Sequence, residues 1–401
     1  MVQLESIKRA AEVLEGVAIK TPLVYSTYFS EESGAPVYLK LENLQKTGSF
    51  KFRGAYYKLS HIRDRIGGGG VVAASAGNHA QGVAHAAHLM GIPATVVMPE
   101  WASIGKQVAA RSYGAQVVLH GKSLTESLSH ARRLEGEGRI FIHPFDDDDV
   151  IAGQGTIGLE IVSELPGVDT VLVPIGGGGL VAGIATAVKS LREKAKIVGV
   201  QAAACASAVS ARRLGKPVSV SAGKSLADGI SVRQVGKLTF PVIERLVDDI
   251  VTAEEEQIAA AMLKLLERKK VLAEGAGAVP LAALMGNQFH CRPGQPVVLV
   301  VSGGNVDSHL LGKILHQGLF RTGRILRFSV ELEDVPGALA ELLRLVAGHQ
   351  GNILHIHHDR MGRHLPVGLS RVELEVETRD YPHIEQLLNM LASGGYDVEV
   401  R

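Results

Sequence analysis

Val71-Val72-Ala73-Ala74-Ser75-Ala76-Gly77-Asn78-His79 begins as four apolar residues in a row and ends in a small-residue turn. An apolar run of this length, closed by turn residues, reads as a strand buried on both faces. The unit recurs. Ala94-Thr95-Val96-Val97-Met98 and Ala115-Gln116-Val117-Val118-Leu119 follow at helix-length spacing, and Thr170–Pro174, 196–200 and Val297–Val301 resume the series. Short apolar strands alternating with helices, such as the one predicted over 254–269, indicate an α/β fold with parallel sheets covered on both faces. Upstream, Val37–Leu41 reads as a further strand, and it leads directly into Thr47-Gly48-Ser49-Phe50-Lys51-Phe52-Arg53-Gly54-Ala55.

The chain has 401 residues, so two or three domains are expected. Charged residues make up 21% and aromatics 4%, with 46 glycines, a globular composition rich in tight turns. A formal net charge of +1 provides no broad field to attract nucleic acid or an anionic membrane. Two cysteines, Cys205 and Cys291, make no disulfide framework, and no Cys/His spacing suits zinc. Residues 1–16 lack the apolar core of a signal peptide and read as an amphipathic helix, with Leu4, Ile7, Ala11 and Leu14 on one stripe. No apolar run spans a bilayer, so a cytoplasmic location is expected.

The periodicity changes near Arg321. From Arg327 the predicted order is strand, helix, strand, strand, helix, strand, the βαββαβ arrangement of a ferredoxin-like module. This divides the chain into residues 1–322, with a smaller subdomain within about 45–145, and residues 327–401. His355, His357 and His358 read as polar-face and edge residues of one of these strands, since no acidic ligand is placed with them. The acidic run 146–149 reads as a solvated loop.

Four segments carry chemistry. Lys51 sits between Phe50 and Phe52. It is either a surface lysine with a packed stem, or a buried amine whose lowered pKa suits Schiff-base chemistry. The Ser75-Ala76-Gly77-Asn78-His79 loop offers backbone N–H groups at a helix start for a carboxylate, and Asn78 can bond a ring hydroxyl; a plain strand–helix turn is the alternative. Gly176-Gly177-Gly178-Gly179-Leu180 reads as a phosphate cup without a P-loop lysine; close helix–sheet packing is the alternative. Ser302-Gly303-Gly304-Asn305 places a neutral hydroxyl at a strand end, where it can meet a ring nitrogen, although serine and glycine there are also ordinary turn chemistry. Together they supply an amine, a carboxylate seat, a phosphate cup and a neutral partner for a ring nitrogen, a set that suits pyridoxal phosphate binding an amino acid.

In their order and wording these four motifs resemble the fold-type II, tryptophan-synthase-β-like pyridoxal-phosphate enzymes, and among them the threonine/serine dehydratases. The resemblance covers roughly residues 1–320. It implies pyridoxal 5'-phosphate as cofactor, Lys51 as the Schiff-base lysine and Phe50 beside the pyridine ring. Asn78 would bond the 3-hydroxyl, Gly176, Gly177, Gly178, Gly179 and Leu180 the phosphate, and Ser302 the ring nitrogen. Ser75, Ala76, Gly77, Asn78 and His79 would hold the substrate carboxylate. It also allows a monovalent or divalent cation near Asp228 or Glu274. The C-terminal module resembles an ACT domain through Asp334-Val335-Pro336-Gly337-Ala338-Leu339. That implies a small-molecule effector near Gly337, Asn352 and Ile353, or a module that only assembles subunits into a homodimer or homotetramer.

The implied reaction is deamination of L-threonine to 2-oxobutanoate, and of L-serine to pyruvate, with Lys51 removing the α-proton and the β-hydroxyl leaving. Serine racemase shares almost every motif. In the racemases a serine immediately before Gly-Asn-His supplies the opposite-face proton; here that residue is Ala76, which has none to give. Other β-elimination or replacement enzymes of the same cofactor, and a non-enzymatic ACT-based sensor, are the further alternatives.

Overall fold

The computed structural model describes residues 1–362 and 365–401, which form two compact units, Met1–Asp307 and Ser308–Arg401. In the first unit, β1 (Leu23–Tyr25) and β2 (Val37–Leu41) begin one sheet. The chain then leaves to build a second from β3 (Val71–Ala74), β4 (Ala94–Met98), β5 (Gln116–Leu119) and β6 (Ile140–Phe141), all parallel and ordered β5-β4-β3-β6. It returns with β7 (Thr170–Pro174), β8 (Lys196–Ala202), β9 (Asp249–Ala253) and β10 (Val297–Val301). The first sheet is thereby completed in the order β1-β2-β10-β7-β8-β9, parallel except for β1. Every residue of β3, β4, β7 and β10 is buried, which is why these strands read as unbroken apolar runs.

The helix Lys51–His61 is fixed in three ways. Glycines let it touch the helix Asp148–Glu164: a Cβ on Gly153 would lie 2.6 Å from Gly54 Cα. Arg53, 1% exposed, forks onto Glu42 (Nε–Oε2 2.9 Å, Nη2–Oε1 2.8 Å) and reaches Glu160 Oε1 at 2.6 Å. Lys40, also fully buried, joins the network through Glu160 Oε2 at 2.6 Å and donates to Thr21 O at 2.6 Å. Burial alone would lower the Arg53 pKa, but Glu42 and then Glu160 raise it above the ordinary arginine value. Finally, Lys58 pairs with Asp147 at 2.7 Å and Asp149 at 2.9 Å.

This last contact changes the reading of the acidic run. Of residues 146–149 only Asp148 is exposed; the other three are engaged rather than solvated. Asp147 caps the helix Asp148–Glu164 by accepting from the backbone N–H of Asp149 and Val150. Asp146 accepts from the N–H of Lys237 at 2.9 Å and Leu238 at 2.7 Å. Carboxylates gathered at a helix start meet unpaired N–H groups and the positive end of the helix dipole.

In the second unit a helix, Ser308–Arg321, precedes β11 (Ile325–Glu333), the helix Ala338–Gly348, β12 (Asn352–Asp359), β13 (Leu369–Glu377), the helix Tyr381–Ser393 and β14 (Val398–Val400). The strands form an antiparallel sheet ordered β12-β13-β11-β14, the expected ferredoxin-like arrangement. Alternate residues Leu326, Phe328, Val330 and Leu332 of β11 and Val372, Leu374 and Val376 of β13 form its core with Leu342, Val346, Leu387 and Leu391 of the helices.

Arg53→Met would strand Glu42, a fully buried carboxylate, and is expected to destabilise the first unit by ~3–5 kcal/mol. Urea unfolding of the full chain measures this; a midpoint equal to wild type would show that the network does not anchor the helix.

Candidate active site

Lys51 is the first residue of its helix. Its Nζ donates to Pro144 O at 2.6 Å and stands 5.1 Å from the centre of the Phe50 ring. Among the described residues, no carboxylate lies within ion-pair distance of it. The helix dipole at this end also disfavours a positive charge. Burial of the amine lowers its pKa to about 8, against a smaller opposing pull from Glu274. The sequence allowed a snorkelling surface residue; the structure half-buries the residue and turns its amine onto a main-chain carbonyl. Gly82 lets the next helix touch it, since a Cβ there would lie 3.0 Å from the Lys51 carbonyl carbon.

That next helix, Asn78–Met90, starts directly after β3 and the Ser75–Gly77 turn, where Ser75 Oγ accepts from Gly77 N–H at 3.1 Å. The Asn78 amide is held from both sides. Its Nδ2 donates to Glu274 Oε1 at 2.7 Å, and its Oδ1 accepts from Asn305 Nδ2 at 2.8 Å. His79 turns its ring away, with Nε2 at 2.9 Å from Ile142 O. Burial, followed by the Lys51 charge, lowers its pKa to about 3, so it is neutral. Its side chain is committed to the sheet, and only its backbone faces the turn's chemistry.

Ser302, buried, directly follows β10. Its carbonyl accepts from Phe50 N–H at 3.1 Å, Gly304 N–H donates to Gly48 O at 2.9 Å, and Asn305 Nδ2 donates to Thr47 O at 2.8 Å. The third loop is therefore stitched along the turn that delivers Lys51. Thr47 Oγ1, Ser49 Oγ and Ser231 Oγ are buried without protein partners. These are orphan hydroxyls bordering the amine's turn and the glycine cup.

The cup joins β7 to the helix Gly179–Leu191. Each glycine has its own close neighbour: Ile230 for Gly176, the Phe145 ring for Gly177, Thr239 Oγ1 for Gly178 and Phe145 O for Gly179. Gly178 also takes φ +98°. One glycine would not have sufficed for packing here, so the number of glycines does not by itself argue for phosphate. The stronger argument is the helix start, whose first N–H groups have no acceptor within the helix.

Sequence reasoning missed the segment His143-Pro144-Phe145. It supplies the carbonyl that holds Lys51 and the ring that packs over the cup. His143 Nδ1 accepts from Asp146 N–H at 2.8 Å, and burial lowers its pKa to about 4. No glycine signature marks this loop. Sequence reasoning also gave Glu274 only a conceivable part in holding a cation. Glu274 is 6% exposed, and burial, then the charge of Asp228, raises its pKa to about 7. Asp228 itself pairs with Lys106 at 2.9 Å. Among the described residues, no group of three or more His, Cys, Asp or Glu gathers as a metal site.

In the second unit, Gly337 takes φ +104° just before the helix Ala338–Gly348. Asn352 opens β12 and donates to Glu377 Oε2 at 3.0 Å, and Ile353 packs partly into the core. The turn and strand start named from the sequence exist as expected.

A family model described as "Pyridoxal-phosphate dependent enzyme" matches residues 14–303, and one described as "ACT domain" matches residues 326–392. An L-threonine ammonia-lyase of Thermotoga maritima is 47% identical over the whole of both chains. Among solved structures, the processed form of threonine deaminase isoform 2 from Solanum lycopersicum is 38% identical, with TM-score 0.74, over 78% of this chain and 86% of that one. Maize serine racemase is 33% identical, with TM-score 0.75, over 80% of this chain and 98% of that one.

The neutral fraction of the Lys51 amine should set its reactivity. Borohydride trapping of pyridoxal phosphate on the cofactor-free protein is expected to label the Lys51 peptide with a rate half-maximal near pH 8. Peptide mass spectrometry reads the site. A rate still climbing towards the ordinary lysine pKa, near 10.4, would show an unburied amine.

Proposed function

Because the chain belongs to the pyridoxal-phosphate dependent enzyme family, with an ACT domain in its C-terminal part, we propose that it deaminates L-threonine to 2-oxobutanoate and ammonia. L-serine, giving pyruvate, is its second substrate. The observation that carries this reading is the Lys51 amine, its pKa lowered by burial, held by a carbonyl and, among the described residues, without a paired carboxylate. The choice of threonine rests on the L-threonine ammonia-lyase that matches this chain from end to end.

The residues present fit the cofactor: an amine of lowered pKa, a helix start with free N–H groups, and buried hydroxyls lacking partners. Lys51, Phe50, Asn78, Ser302 and the backbone of Gly176, Gly177, Gly178, Gly179 and Leu180 would hold it. Pyridoxal phosphate, when bound, supplies an aldehyde for amines and a conjugated ring that accepts electrons from the substrate α-carbon. Lys51 Nζ takes the α-proton, a role that needs the neutral amine which burial favours. The start of the helix Asn78–Met90 seats the substrate carboxylate on backbone N–H groups of the Ser75, Ala76, Gly77, Asn78 and His79 turn. Loss of the β-hydroxyl as water, followed by hydrolysis of the resulting enamine, balances to 2-oxo acid and ammonia.

The likeness to maize serine racemase favours racemisation as a second reading. Ala76 opposes it, because a methyl group has no proton to deliver to the other face. We assign catalysis to residues 1–322 and regulation or assembly to residues 327–401, where a small-molecule effector would sit by Gly337, Asn352 and Ile353. Among the described residues, no helix is long and apolar enough to cross a membrane. A cytoplasmic homodimer or homotetramer completes the proposal.

Steady-state release of 2-oxo acid from threonine and serine tests the reading. Lys51→Ala is expected to lose ~10³-fold or more; wild-type turnover in that variant would remove Lys51 from the chemistry. Ala76→Ser is expected to form measurable D-serine from L-serine, and an unchanged yield would sink the opposite-face argument. Deleting residues 327–401 should spare turnover while altering oligomeric state or effector response. Unchanged behaviour in both would leave the ACT domain with neither role.

A further inference from the structure

Glu274 is a buried carboxyl that the reaction as described does not use. It precedes the helix Gly275–Met285 without capping it by its side chain, and its N–H donates to Gly303 O at 3.0 Å. Its Oε1 lies so close to Gly303 that a Cβ on that residue would collide with it. Three loops of the site therefore meet at this carboxyl: the asparagine turn, the strand end after β10 and the turn Asp228–Ile230, whose Gly229 would place a Cβ 3.7 Å from Oε1.

The hydrogen bonds leading away from Glu274 form a chain with a fixed direction. Asn305 Nδ2 donates to Thr47 O at 2.8 Å and to Asn78 Oδ1 at 2.8 Å, and Asn78 Nδ2 donates to Glu274 Oε1 at 2.7 Å. A backbone carbonyl stands at one end and Glu274 at the other; a carbonyl never donates, and Glu274 in its ionised form only accepts. Both amides must then present nitrogen to the ends, and neither can flip without setting acceptor against acceptor. Asn305 spends both of its N–H bonds in the chain. Asn78 spends one and keeps one.

We propose that Glu274 is a positioning residue for the cofactor: it locks the Asn78 amide so that the remaining N–H is available to an oxygen of the pyridine ring. The inference rests on the reading of this site as a pyridoxal-phosphate site. Glu274 acts through Asn78 and needs only an acceptor oxygen, so an amide at position 274 can substitute where a methyl group cannot.

The test uses the full-length protein loaded with pyridoxal phosphate, with cofactor dissociation constants from equilibrium dialysis and the position of the visible band. Glu274→Ala is expected to weaken cofactor binding ~10-fold, the loss of one charge-assisted hydrogen bond, and to shift the band. Glu274→Gln should bind within about threefold of wild type. Combining Glu274→Ala with Asn78→Ala should cost no more than Asn78→Ala alone, since coupled residues are non-additive. Wild-type affinity and band in Glu274→Ala, or fully additive losses in the double variant, would overturn the proposal. If Glu274→Ala is recovered unfolded, Glu274→Gln decides alone, and a tenfold loss there overturns the acceptor-oxygen account. A wild-type protein that takes up no cofactor would overturn the site reading and this inference together, whereas an unaffected Glu274→Ala on a coloured wild type overturns this inference alone.

Discussion

Two positive side chains two residues apart on one helix are treated in opposite ways, and the first unit is built around that difference. Arg53 is surrounded by Glu42 and Glu160 and is held charged above its ordinary range. Lys51 meets a backbone carbonyl and the positive end of its own helix, and its pKa falls to about 8. Burying an ammonium without a counter-charge is costly, and the group escapes the cost by giving up its proton. That lowering raises the share of neutral amine near physiological pH, but only if the helix cannot shift the lysine back to water. The Arg53 network and the glycine contacts at Gly54, Gly153 and Gly82 hold it in place.

The same requirement explains why the site sits where strands end. In parallel sheets the loops after the strands converge, and here β3, β7 and β10 each deliver a short turn of small residues. The turns are tied to each other rather than only to their own strands: Asn78 to Asn305 and Glu274, Ser302 to Phe50, Gly48 to Gly304. Small residues are needed because Gly303 and Gly48 touch the Glu274 and Asn305 side chains closely enough that any Cβ would collide.

Much of this was legible in the sequence for a simple reason. Strands buried on both faces leave uninterrupted apolar runs, and turns crowded on both sides leave glycine and serine. The second unit was legible through alternation, because β11 and β13 bury every other residue. What was hidden acts through groups that carry no signature. Pro144 holds Lys51 with a main-chain oxygen, which any residue could provide. Phe145 and Glu274 are single side chains whose importance comes from neighbours far away in the chain. The run 146–149 looked like a solvated loop because its partners, Lys58 and the backbone of 237–238, lie elsewhere in the sequence. The helix Ser308–Arg321 groups with the second compact unit, whereas the boundary read from the sequence falls after it, where strand periodicity begins.

The arrangement of Lys51 and Glu274 shows how a buried amine is kept usable. A lysine and a glutamate in one low-dielectric site attract, and a direct ion pair would hold the amine as ammonium, useless as a nucleophile or base. The structure avoids that outcome without removing the acid. Asn78 occupies Glu274 Oε1, and Pro144 O occupies the Lys51 amine. Burial then pushes the two groups in opposite directions, Lys51 down to about 8 and Glu274 up to about 7, so each moves towards its neutral form. The residual charge is managed at a distance by Lys106 and Asp228, an ion pair whose two members act oppositely on Glu274. A carboxyl that accepts from Asn78, with the lysine held on a main-chain carbonyl instead, can orient that amide while leaving the lysine's proton free to come and go.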